Sequence, residues 1–182
     1  MASVGALRPI GLRRPLTLGV RPLVAMPEKK HHLPAFLSGI VSSETYDQWL
    51  YRKAAGHVKR DRQRGHLSVS GSSYRAAIHE AVVRSSGRDA YTGEMLDWHL
   101  ISTYDNDQSK EGRHHYKAKF ALLPTVDHIE ASSSSATFHI CAWRTNDAKN
   151  DLQTEAFLDL CSKVLQHAGY RVHAPDAPAQ AK

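Results

Sequence analysis

The predicted fold of this chain depends on residues 120–151, FALLPTVDHIEASSSSATFHICAWRTNDAKND. The apolar run Phe120–Val126 predicts a strand, and Phe138–Trp143 alternates as a second strand should. Four consecutive serines between them predict a loop, and the polar residues that follow the second strand predict a helix start that carries Asn146. This order of strand, loop, strand and helix brings the pair Asp127–His128 opposite that helix start.

Two helices are predicted on the N-terminal side. The first begins near Ser42 or Ser43, carries apolar residues at helical spacing, and ends at Gly65. The second follows a short polar connection, begins at about Ser73, and ends at Gly87.

Three further segments complete the predicted elements. Residues 89–98 contain the turn pair Thr92-Gly93 between two short extended pieces, which predicts a hairpin. The polar stretch from Tyr104 to Lys119 predicts a long loop. Residues 151–168 form an amphipathic helix pattern that Gly169 ends.

These elements together predict an α+β fold, with a ββα core joined to an N-terminal basic helical segment. The predicted divisions are a disordered extension at 1–26, the basic helical segment at 27–88, the core domain at 89–170, and a disordered tail at 171–182. The first 25 residues contain no acid, four arginines and three prolines, which fits a transit peptide, although the prolines disfavour a helix. We interpret them as an upstream extension, with Met26 opening the protein.

Composition narrows the classes of partner and compartment. The formal net charge of +6 favours a polyanionic partner such as nucleic acid. No apolar run is long enough to span a bilayer, so a membrane partner is not expected. Two cysteines can form neither a disulfide framework nor a four-thiolate zinc site, and we expect free thiols in a cytoplasmic protein.

Residues 127–149 carry the chemistry that phosphodiester hydrolysis requires. A histidine such as His128 can deprotonate water near neutral pH. Its neighbour Asp127 points to the other side of an extended backbone and is free to bind a cation. Carboxylate and amide oxygens suit Mg²⁺, so Asn146 is a candidate second ligand.

With these residues the chain resembles the HNH (ββα-metal) nuclease family, in a subgroup without zinc knuckles. The resemblance extends over roughly residues 89–169 and depends on the pair Asp127–His128 after a strand and on Asn146 followed by Lys149. It implies an HNH-type endonuclease that cleaves DNA, with His128 as general base and Asp127 and Asn146 as ligands of one Mg²⁺, Mn²⁺ or another divalent ion. It further implies that Lys149 lies near phosphate or braces the finger. The family's central Asn corresponds here to Thr137. This departure bears on the rate of cleavage and on the geometry of the loop between the two strands.

The cationic end of the first helix is a candidate nucleic-acid contact. Its cations are Lys59, Arg60, Arg62 and Arg64. They either contact phosphates or merely offset the helix dipole, and the nuclease-like motif in the same chain favours phosphate contact.

Two rival functions fit the same residues. The first is a catalytically impaired nucleic-acid-binding module with the same finger, which the Thr137 departure keeps open. The second is an unrelated structural or interaction protein in which the spacing from Asp127 to Lys149 arose by chance. DNA versus RNA as substrate is also open.

Overall fold

The computed structural model describes residues 31–65, 70–129 and 137–173. The predicted extension at 1–26, the serine loop at 132–135 and most of the predicted tail at 171–182 lie outside these ranges.

Helices and a small sheet make up the described part of the chain. The longer elements are α1 (Ser43–Gln63), α2 (Gly71–Ser85), α3 (Asn106–Lys119), β1 (Pro124–His128), β2 (Phe138–Ala142), α4 (Trp143–Lys149) and α5 (Thr154–His167). Short 3-10 helices lie at Ala35–Leu37 and Trp98–Ser102. This mixed architecture agrees with the predicted α+β class.

Serine side chains cap the first two helices. Ser42 accepts a hydrogen bond from the backbone N–H of Thr45 at 3.1 Å, as expected for the predicted start of α1. The helix ends before Gly65, whose φ of +96° is readily adopted only by glycine. α2 begins at Gly71, earlier than predicted, because Ser70 and Ser73 form a reciprocal capping box that places Ser73 inside the first turn.

The prediction of a long loop from Tyr104 to Lys119 was wrong, because α3 occupies Asn106–Lys119. The Asp105 carboxylate caps this helix by accepting from the backbone N–H groups of Asp107, at 2.7 Å, and Gln108, at 3.0 Å. A helix that is polar on most faces lacks the apolar periodicity by which helices are identified from sequence. Polar composition alone therefore did not distinguish it from a loop.

The two strands pair antiparallel, with Asp127 opposite His139 and His128 opposite Phe138. β1 begins at Pro124, a position where the missing N–H of proline is tolerated. The strand therefore lies further along the chain than the predicted 120–126, and the Asp-His pair forms its last two residues.

The hydrophobic core forms where α2 packs against α1 on one side and against β2 on the other. Its members with 1% exposure or less include Leu37, Tyr46, Leu50, Tyr74, Ile78, Val82, Phe138 and Ile140. The basic helical segment and the sheet thus share one core. This packing brings the C-terminal half of α1 beside the end of β1, where the rings of His57 and His128 lie 4.9 Å apart.

The predicted amphipathic helix near the C-terminus is present as α5. Phe157 is its one buried side chain, while Leu160, Val164 and Leu165 of the apolar face are 43–59% exposed. Among the helices of the described ranges, α5 included, none has both the length and the apolar character needed to cross a bilayer.

Candidate functional site

An open cleft of about 370 Å³ lies between α1, β1 and α4. Its lining includes all four candidate site residues of the 127–149 segment, together with two arginines of α1: Asp127, His128, Asn146, Lys149, Arg60 and Arg64. The structure therefore brings the motif residues and part of the predicted basic surface to one place.

His128 is almost fully buried at the end of β1, with 9% of its surface exposed. Its Nε2 lies 3.0 Å from Oδ2 of Asp61, and its ring packs 4.8 Å from the ring of Phe138. Burial lowers the pKa of His128, and the Asp61 carboxylate partly offsets this effect. A neutral imidazole that can accept a proton is therefore favoured near neutral pH.

Asp127 is held by two donors from different parts of the chain. Its Oδ2 accepts from the Tyr91 hydroxyl at 2.7 Å and lies 3.0 Å from the Lys149 ammonium. Burial and the hydrogen bond to Asp127 raise the pKa of Tyr91, so its hydroxyl remains a donor. Oδ1 of Asp127 has no hydrogen-bonding partner within the described part of the chain. The carboxylate is thus fixed in orientation while one oxygen stays available.

Lys149 is only 3% exposed, and its contact is with Asp127. Two roles were predicted for it, contact with phosphate and bracing of the local fold. The buried ion pair is the geometry expected of the bracing role.

Asp89 connects the turn that carries Tyr91 to the end of the sheet. Its Oδ2 accepts from the backbone N–H of Ala142 at 2.9 Å and from the Thr145 hydroxyl at 2.7 Å. Its Oδ1 accepts from the backbone N–H of Tyr91 at 2.8 Å. The side chain therefore positions Tyr91 against Asp127. Sequence reasoning identified the turn here but not this role, because Ala142 and Thr145 are distant from Asp89 in sequence.

The four predicted cations of α1 separate into two pairs. Arg60 and Arg64 line the candidate cleft. Lys59 and Arg62 line a different cavity, of about 600 Å³, which also includes residues of α2. Since residues four apart share a helix face, positions 60 and 64 point to one side and their neighbours to another. The structure therefore brings two of the four to the site.

His57 fixes one of these arginines. It is 4% exposed, and its Nδ1 lies 3.0 Å from Nη2 of Arg60, which donates to it. Burial lowers the pKa of His57 to about 2, and the charge of Arg60 adds to this effect. A neutral His57 therefore acts as an acceptor that holds Arg60 at the edge of the cleft.

Lys53 also lines the cleft, although it is not one of the four α1 cations named from the sequence as nucleic-acid contacts. Its Nζ donates to the Thr125 hydroxyl at 3.1 Å. Burial lowers the pKa of Lys53 to about 8, so this amine is charged near neutral pH but close to its titration range.

Thr137 and His139 lie at the start of β2. The backbone carbonyl of Thr137 accepts from the N–H of Ile129 at 3.3 Å, which closes the base of the loop. Thr137 itself is exposed, and its hydroxyl makes no hydrogen bond within the described residues. The ring of His139 packs at 5.9 Å from that of Tyr91, and burial lowers the pKa of His139.

The cleft is lined by oxygen ligands of the kind that a partly hydrated Mg²⁺ takes. Across residues 31–65, 70–129 and 137–173, no group of three or more His, Cys, Asp or Glu side chains could hold a metal ion. Mg²⁺ keeps several waters and takes one or two carboxylates together with substrate phosphates. Asp127 and the half-buried Asn146 offer one carboxylate and one amide oxygen to the same cleft.

Comparison with known proteins adds no family assignment to this geometry. No family model matches the chain, and no curated protein or solved structure is detectably similar to it.

Proposed function

We propose that the chain is a metal-dependent endonuclease that hydrolyses phosphodiester bonds in DNA, with His128 as general base. The observation that carries the proposal is the cleft that contains His128, one carboxylate from Asp127, one amide from Asn146 and three arginines. Together they supply a base, oxygen ligands and positive charge, which phosphodiester hydrolysis requires.

His128 takes a proton from a water molecule as the water oxygen attacks phosphorus. The bond from phosphorus to the leaving oxygen breaks, and that oxygen takes up a proton from solvent. Burial favours the neutral, proton-accepting form of His128. Arg60 and Arg64 bind the charged phosphate backbone and hold the scissile group in the cleft.

Asp127 and Asn146 would hold the divalent ion. When bound, the ion stabilises negative charge on the phosphate oxygens. Tyr91 and Lys149 both contact Oδ2 and so keep the Asp127 carboxylate in one orientation, which leaves Oδ1 for the ion.

A second candidate is a nucleic-acid-binding module that does not cleave. It is favoured by the contacts of Asp127, whose Oδ2 already accepts from Tyr91 and pairs with the Lys149 ammonium. This ammonium places a positive charge beside the carboxylate that would hold the cation, which opposes metal binding. Binding through Arg60 and Arg64 would persist without the ion.

Plasmid cleavage by the purified protein tests the proposal. We expect nicking with Mg²⁺ or Mn²⁺, none with chelator, and none with His128→Ala, which should still bind the plasmid. His99→Ala removes an exposed histidine outside the cleft and is the matched control, expected to cleave like the wild type. Binding without nicking by the wild type would favour the module, and neither binding nor nicking would exclude both.

An RNA arm addresses the choice of substrate. Cleavage of a single-stranded RNA and of a duplex RNA is compared with cleavage of DNA oligonucleotides of the same length. We expect both RNAs to be cleaved more slowly than the DNA. Preferential RNA cleavage would keep the chemistry and change the substrate.

A further inference from the structure

A buried series of hydrogen bonds connects α2, α1 and β1 behind the candidate base. The Tyr74 hydroxyl donates to Oδ2 of Asp61 at 2.5 Å, and the same oxygen lies 3.0 Å from Nε2 of His128. Asp61 is 3% exposed and Tyr74 is 1% exposed. Burial of a carboxylate lowers the free energy of unfolding unless the carboxylate is well hydrogen-bonded. The hydrogen bonds of Asp61 to Tyr74 and His128 are therefore important for keeping it in this position.

We infer that Asp61 is a positioning residue that holds His128 in the tautomer and orientation needed for base catalysis. The inference rests on the proposed nuclease function. Asp61 touches neither water nor phosphate and acts on catalysis through His128, while its Oδ1 lies 4.0 Å from Nη1 of Arg64.

The tautomer follows from the donor and acceptor chemistry. An ionised carboxylate can only accept hydrogen bonds, so Nε2 of His128 carries the proton that points to Asp61. In a neutral ring Nδ1 is then the nitrogen with the free lone pair, and it is the atom that can take a proton from water. A carboxylate plays the corresponding orienting part in other acid-base-histidine sites.

Packing restricts the remaining motion of the ring. The ring of Phe138 lies 4.8 Å from that of His128, and the ring of His57 lies 4.9 Å away in an edge-on arrangement. His57 does not compete for Asp61, since its Nδ1 accepts from Arg60 and its ring also hydrogen-bonds the backbone of Val126. Asp61 is thus the polar group that sets which way His128 presents its two nitrogens.

This contact also bears on Thr137, the position at which the chain departs from the pattern that the resemblance implies. The family's central Asn was expected to steady the loop and the histidine, and Thr137 here contributes a backbone carbonyl to Ile129. Asp61, from a helix outside the 89–170 segment, supplies the orientation of His128 instead.

The kinetic test compares Asp61→Asn with Asp159→Asn. Asparagine keeps the shape of Asp61 but loses the charge that selects one tautomer. We expect kcat to fall by a factor between about 10² and 10⁴, the range for loss of base catalysis, with KM within about threefold. Asp159→Asn makes the same chemical change on an exposed part of α5 and is expected to leave both constants unchanged. A wild-type kcat for Asp61→Asn overturns the inference.

A ¹⁵N NMR spectrum of the full-length wild type gives a second readout that needs no Asp61 variant. The His128 signals are assigned by their loss in His128→Ala, and the spectrum is recorded at a pH where the ring is neutral. A proton on Nε2 supports the inference, and a proton on Nδ1 overturns it even if Asp61→Asn fails to fold. Failure of the proposed function gives a different result, because the wild type would then show no metal-dependent cleavage whichever nitrogen of His128 carries the proton. That result would overturn the proposed function and, with it, the role of Asp61.

Discussion

The separation of the α1 cations into two pairs leads to a specific prediction. Of the four predicted cations, the double variant Arg60→Gln/Arg64→Gln removes the pair that lines the cleft, and Lys59→Gln/Arg62→Gln removes the pair that lines the other cavity. Each removes two positive charges from a formal net charge of +6. The pairs therefore differ in position and not in overall charge.

The expected size of the effect follows from counterion release. Each lost phosphate contact lowers the log–log salt slope of binding by about 0.9 on duplex DNA and about 0.7 on single strands. Loss of both arginines should therefore lower the slope by about 1.8 on duplex DNA. Over a fourfold rise in salt, the wild type should then lose about twelvefold more affinity than this variant.

The assay is fluorescence anisotropy with one labelled oligonucleotide, in chelator to prevent cleavage, at four or more salt concentrations. Thermal midpoints of both variants are measured in parallel. We expect the slope to fall for the Arg60/Arg64 variant and to stay at the wild-type value for the Lys59/Arg62 variant.

Two results would refute this reasoning. Equal changes of slope in both variants would mean that the overall charge matters and the cleft does not. Unchanged slopes with lower thermal midpoints in both variants would mean that the cations only offset the dipole of α1, worth about 0.3–1 kcal/mol each.

Two further predictions concern the metal and the buried histidine. Asp127→Asn and Asn146→Ala should each weaken Mn²⁺ binding in calorimetric titration, and the double variant should be hardly worse than either single, because both act through one ion. Unchanged affinity in both singles would contradict shared coordination. His57 has a pKa of about 2 when folded, so between that pH and its unfolded value near 6.5 the unfolded chain binds one more proton. Its stabilising contribution is complete above about pH 6.5 and is lost as pH falls, by about 1.4 kcal/mol per pH unit. In urea titrations from pH 6.5 to 4.5, the free energy of unfolding should fall less for His57→Gln than for the wild type. Parallel plots of this free energy against pH for the two proteins would argue against a buried neutral His57.

Much of the local structure could be predicted from the sequence. The caps of α1 and the order of β1, β2 and the following helix depend on side chains close to the backbone groups they satisfy. The same locality explains why Asp127, His128 and Asn146 were identified together and lie in one cleft. They belong to one short segment, and the hairpin brings its two ends together.

Periodicity in the sequence left two features undetermined. The sequence of α3 predicted a loop, because a polar surface helix has no apolar stripe. The helical spacing of α1 establishes that residues 60 and 64 share a face, but periodicity does not say which face meets the sheet. That choice is made by the packing of α1 and α2 around Phe138 and its neighbours.

The sequence by itself determined the chemistry available in residues 127–149 and the elements that carry it, because those features depend on near neighbours in the chain. The tertiary structure alone decided which distant groups complete the site. Asp61 meets His128 across 67 positions and Tyr91 meets Asp127 across 36 positions. Such pairs have no local signal, since they form only when burial of the shared apolar core brings α1, the 89–93 turn and β1 together.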